Sequence, residues 1–205
     1  MVSISQVPAR NTLRRIYRIQ AITIAWMSVE AVGSLYAAWT ARSPALLAFG
    51  GDSAVELFSA VVVLWQFSAQ AEKRNAERRA VQTAGALLFA LAAYVMVVST
   101  IALLGHSEPR PSGFGIVILI AAAAIMPWLA REKRKLSAAT GSATLRADAA
   151  QSGFCAYLSL IALAGLAVNA IWHIAWADPV AALAIIPFIV WEGKEGIRGK
   201  PCGCC

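Results

Sequence analysis

Leu46 to Trp65 reads LLAFGGDSAVELFSAVVVLW, and this stretch decides the fold. It is long and apolar enough to cross a bilayer as a helix, yet Asp52 and Glu56 lie near its middle. Four residues apart on a helix is one turn on one face, so both carboxylates point into the same space. A charge at that depth costs from about 2.5 to more than 10 kcal/mol, and two acids on one face also repel each other. A bound cation is the simplest arrangement that makes the pair tolerable.

The rest of the chain supplies a membrane setting for that stretch. Of the 205 residues, 59% are hydrophobic and only 14% charged, against roughly 25% charged in a soluble domain. Spans of about 20 mostly apolar residues fall at about 16–39, 45–67, 81–104, 114–129, 144–172 and 177–191. The expected fold is an all-α membrane protein with six transmembrane helices in one domain over 1–193. A short Cys-rich tail follows over 194–205. The first run continues to Trp39 without a small-residue cleavage site, so it reads as a span and not a removable signal. The connector EKRNAERR (72–79) is charged; REKRKLSAATGSA (131–143) is basic, then small and flexible.

The formal net charge of +7 does not imply nucleic acid, because the positive residues stand at the ends of apolar segments. The N-terminus, the second-to-third connector, the fourth-to-fifth connector and the tail hold 4, 4, 5 and 3 of the 18 Lys and Arg residues, with Arg146 counted in its connector. The opposite side holds Arg42 and Arg110. The positive-inside rule then places both termini in the cytoplasm, and the expected location is a bacterial inner membrane. Trp39, Trp65, Trp128, Trp172, Trp176 and Trp191 fall near span ends, as interfacial anchors do.

Four acids lie within the spans: Glu30, Asp52, Glu56 and Asp148. Apart from Arg146, no span interior offers a Lys or Arg partner, so these acids are expected to be protonated, hydrated in a cavity or holding a metal. On the fifth span Asp148, Gln151, Ser152 and Cys155 occupy i, i+3, i+4 and i+7, a single helical stripe. Such a stripe also suits helix packing, and a buried Cys is commonly an apolar filler. Glu56 and Cys155, however, sit at similar depth on helices of opposite direction. Two carboxylates, an amide and a thiol can therefore meet near mid-membrane, a workable donor set for a Zn²⁺-like ion.

The segments VEAVGSLYAAWTARSPALLAFGGDSAVELFSA, LRADAAQSGFCAYLSLIALAGL and ADPVAALAIIPFIVWEG resemble the first two, the fifth and the sixth spans of the cation diffusion facilitator family, proton-coupled exporters of divalent metals. Glu30, Ala45-Leu46-Leu47 and Asp52-x-x-x-Glu56 carry the likeness, with Glu56 where the family usually has Asp. Gln151 and Cys155 stand where the family has Asp or His and then Asp, and Asp148 matches an acid three residues earlier. The stretch after the sixth span is too short for the family's usual C-terminal domain.

The resemblance implies a secondary transporter, not an enzyme, that exports a divalent cation (Zn²⁺ foremost) in exchange for protons. The metal would be cargo, with no permanently bound cofactor, and a homodimer is the implied assembly. Asp52 and Glu56 would bind the ion with Cys155 and either Gln151 or Asp148, while Glu30 would serve proton coupling or the pathway. Cys202, Cys204 and Cys205 form a thiol cluster that either captures a soft ion or is a mobile tail kept reduced by the cytosol. A non-transporting metal sensor is the alternative reading, and an organic-cation carrier is a third. The sequence contains no metalloprotease HExxH, no GxSxG and no nucleotide-binding loop.

Overall fold

The computed structural model describes residues 10–68, 74–140 and 143–198, with side chains described at 14–58, 82–140, 145–146 and 148–198. Six helices are formed: α1 (Arg10–Ala41), α2 (Pro44–Ser68), α3 (Arg74–Leu103), α4 (Gly113–Thr140), α5 (Ala143–Trp172) and α6 (Ala177–Ile197). Helix is the form in which an apolar segment satisfies its own backbone without water. Among the described residues, four segments are long and apolar enough to span a membrane: Arg14–Ala41, Gln82–Leu103, Gly113–Thr140 and Asp148–Trp172.

The helices exceed the apolar runs. The stretch 131–140, expected as connector, continues α4. Arg, Glu, Lys, Leu and Ala are good helix formers, and burial of Lys133, Leu136 and Ser137 adds tertiary support. Likewise α3 starts at Arg74, inside the charged connector, and α6 runs through the acidic EGKEG to Ile197.

The α1–α2 turn is set by its chemistry. Arg42 adopts φ 51°, and Ser43 N donates to Ala38 O at 3.1 Å, closing a left-handed cap on α1. Pro44 then starts α2, where its missing N–H costs nothing, and Ser43 Oγ accepts from Leu46 N at 3.1 Å. Asp178 at the start of α6 accepts from Ser43 Oγ at 2.5 Å and Ala45 N at 3.0 Å. Two helix starts on this face are thereby pinned together.

α2 touches α1, α3, α5 and α6, so the bundle is organised around it. Leu46 and Phe49 sit fully buried in the larger apolar cluster with Leu119, Leu158, Leu166, Ile185 and Ile189. A smaller cluster joins Met27, Met126, Leu129, Cys155 and Ala156. α3 and α6 cross closely at Gly85 and Gly193, where a Cβ on Gly85 would lie 2.7 Å from Gly193 O. Of the small residues on the third span, Ala84, Gly85 and Ala92 are thus spent inside the bundle, while Ala90 and Ala93 face outward. Trp39, Trp172 and Trp176 are exposed where α1 and α5 end and α6 begins. α1, α3 and α5 begin at the opposite face. Arg15, Lys135 and Lys194 lie towards it and make it the basic face.

Candidate metal centre

Asp52 and Glu56 lie on α2 just beyond the Gly50-Gly51 pair. A Cβ on Gly50 would stand 2.9 Å from Ser34 Cβ and 3.0 Å from Leu35 N, so glycine lets α1 close onto α2 directly before Asp52. The approach brings Glu30 of α1 to Ser53, whose Oγ donates to Glu30 Oε1 at 2.8 Å. All three acids are buried: Glu30 is 0%, Asp52 1% and Glu56 5% exposed.

From α5, Cys155 completes a cluster. One carboxylate oxygen each from Asp52 and Glu56, and Cys155 Sγ, lie within 4.8 Å of one another. Sγ donates to Glu56 Oε2 at 3.0 Å. Among the described residues, both oxygens of Asp52, Oε1 of Glu56 and Oε2 of Glu30 have no hydrogen-bond partner. Among the described residues, no Lys or Arg comes within ion-pair distance of these three acids. Buried polar atoms are rarely left so. Two carboxylates and a thiol converging without a counter-charge form a donor set for a divalent ion of borderline softness.

The remainder of the fifth-span stripe is divided among neighbouring helices. Asp148 accepts from Lys133 Nζ at 2.8 Å and Gln20 Nε2 at 2.7 Å. Lys133, itself 1% exposed, also donates to Ser152 Oγ at 2.9 Å. Gln151 Nε2 donates to Glu192 Oε1 on α6 at 3.0 Å. The expectation that intramembrane acids lack basic partners therefore fails at Asp148. The reason is that Lys133, in the basic connector by sequence, is carried inward as helix by α4. Asp148 does not belong to the group of converging ligand atoms, and the Gln151 amide nitrogen is engaged by Glu192. Cys202, Cys204 and Cys205 lie outside the described residues.

Comparison with known families bears on the chain as a whole. The model of the cation efflux transmembrane domain matches residues 20–197. The chain belongs to the cation efflux family. Among curated proteins, none matches it. Membership makes the chain an integral, multi-pass membrane protein of a metal-cation transporter family and not an enzyme.

Two residues of this cation efflux protein escaped the sequence reading. Lys133 continues the α4 stripe Leu119, Ala122, Met126, Leu129 at helical spacing, with Leu136 beyond it, all buried. That register, and not its charge, was the available signal. Glu192 follows the buried Ile185 and Ile189 of α6 by the same rule and is an electrostatic neighbour of both Asp52 and Glu56. His173 lies elsewhere: with Arg42, Arg110 and Asn169 it lines a cavity of about 420 Å³ on the face opposite the basic one.

Proposed function

We propose that the protein exports a divalent, Zn²⁺-like cation from the cytoplasm in exchange for protons, with Asp52, Glu56 and Cys155 as its binding centre. One observation carries the reading: three ligand atoms within 4.8 Å of one another, buried on facing helices, in a chain of the cation efflux family. Gln151 or water would supply a fourth donor, Asp148 being engaged by Lys133 and Gln20. The basic face is taken as cytoplasmic, which sets both termini inside and the opposite face towards the proton-rich side of a bacterial inner membrane. A homodimer is the proposed assembly.

The chemistry links the two fluxes. Carboxylates and a thiol must be deprotonated to ligate a metal, so the ion and protons compete for the same atoms. The S–H that Cys155 offers to Glu56 is one proton the ion displaces. In the outward-open state, higher proton activity returns that proton and releases the ion. Movement of the site-bearing helices against the others gives alternating access. Glu30, bonded to Ser53 beside Asp52, would pass protons to the centre.

Asp52→Ala is expected to abolish metal-dependent proton flux in proteoliposomes, and undiminished flux sinks the site assignment. Binding without flux in the unaltered protein supports the sensor reading instead, and flux insensitive to chelators supports an organic cation.

A further inference from the structure

We infer that Glu192, held by Gln151, forms a second cation position through which the ion passes between the basic face and the Asp52–Glu56–Cys155 centre. The inference rests on the transport reading above. Gln151 and Cys155 are one turn apart on α5, about 6 Å along the axis. Gln151 touches Glu192 while Cys155 touches Glu56. Glu192 is therefore about one turn from the centre, towards the face at which α5 begins and α6 ends.

The two polar branches leaving the centre in that direction differ in charge. One runs through Ser152 and Asp148 and ends on the buried ammonium of Lys133. A divalent ion is repelled there, and Asp148 is already neutralised. The other runs through Gln151 to Glu192, a half-buried carboxylate. Gln151 is its hydrogen-bond partner, and no Lys or Arg among the described residues lies within ion-pair distance. Carboxylate and amide oxygens are hard donors that hold a divalent ion without a thiolate's strength, which suits a position the ion must leave. The unpartnered, buried Asp52 carboxylate marks where it goes next. A cation between the two resolves the repulsion of a fourth acid beside Glu30, Asp52 and Glu56.

The test measures initial rates of Zn²⁺ and Cd²⁺ transport by the full chain in proteoliposomes, alongside equilibrium Cd²⁺ binding. Glu192→Gln is expected to raise KM about fivefold with kcat retained, the scale of losing one partly screened charge interaction. Glu192→Asp is expected to restore most of that loss. Asp52→Asn, dead for transport, is expected to keep a weak Cd²⁺ site that the Asp52→Asn/Glu192→Gln double variant lacks. An unchanged KM in Glu192→Gln, or a fall in kcat at constant KM, overturns the inference. If Asp52→Asn transports normally, it is the central-site reading that fails. Should Glu192→Gln not fold, Gln151→Leu decides: a raised KM at constant kcat supports the second position and an unchanged KM rejects it.

Discussion

At the scale of single residues, the donor set predicts selectivity. A thiolate favours soft and borderline ions over hard ones. Cys155→Ser is expected to weaken Cd²⁺ binding by about tenfold more than Mn²⁺ binding, measured by calorimetry on purified protein. Equal losses for the two ions would remove Cys155 from the ligand set. Lys133 makes a different prediction. Removing one partner of a buried ion pair typically costs about 3–5 kcal/mol, and the Asp148 side chain retains 30% exposure. Lys133→Met should therefore destabilise the protein near the low end, about 3 kcal/mol, in denaturation followed in detergent. Lys133→Met/Asp148→Leu should recover most of that stability, because no unpaired charge remains. Asp148 was legible as an intramembrane acid, but its partner was not, since a Lys inside a charged connector carries no mark of burial.

Among the elements, the α3–α6 crossing is the point most sensitive to volume. A Cβ at Gly85 meets backbone, 2.7 Å from Gly193 O and 2.9 Å from Ile197 N, so the helices must separate to admit it. Overpacking of this kind costs about 1–3 kcal/mol, which exceeds the gain of up to about 1 kcal/mol in helix propensity from Gly to Ala. Gly85→Ala is expected to lower the unfolding temperature. Gly153→Ala is the matched control within α5. Its Cβ would meet only the end of the Arg134 side chain at 3.6 Å, so propensity decides and stability should rise by as much as about 1 kcal/mol. If the two variants behave alike, the close crossing is not what stabilises this pair. The glycines themselves were visible in sequence; which helix each one faced was not.

At the scale of the whole molecule, coupling and orientation are the properties to test. In proteoliposomes the unaltered protein should move Zn²⁺ against its gradient when the compartment receiving the metal is acidic, and a protonophore should abolish that accumulation. Continued accumulation with the proton gradient collapsed would show that protons do not drive the cycle. The pinned face, where Asp178 joins the starts of α2 and α6, and the basic face, where Lys133 bonds Asp148 and Ser152, lie at opposite ends of the bundle. A rocking cycle must loosen contacts at each end in turn. Opening at the basic face would strain the Asp148 contacts that join α5 to α4 and, through Gln20, to α1.

Hydropathy, the alternation of basic connectors and the Asp52-x-x-x-Glu56 spacing determined six helices and half of the candidate metal centre. Those signals are local: each depends on residues within one turn or one span. The Asp148–Gln151–Ser152–Cys155 stripe was legible in the same way, as one face of α5. Its division was not, because partners from three other helices set each member's role: Lys133 of α4 neutralises Asp148, Glu192 of α6 takes Gln151, and Glu56 of α2 meets Cys155. Only the tertiary structure made that division, since burial and proximity between distant helices, and not residue type, decide which acid is paired and which stays open to an ion.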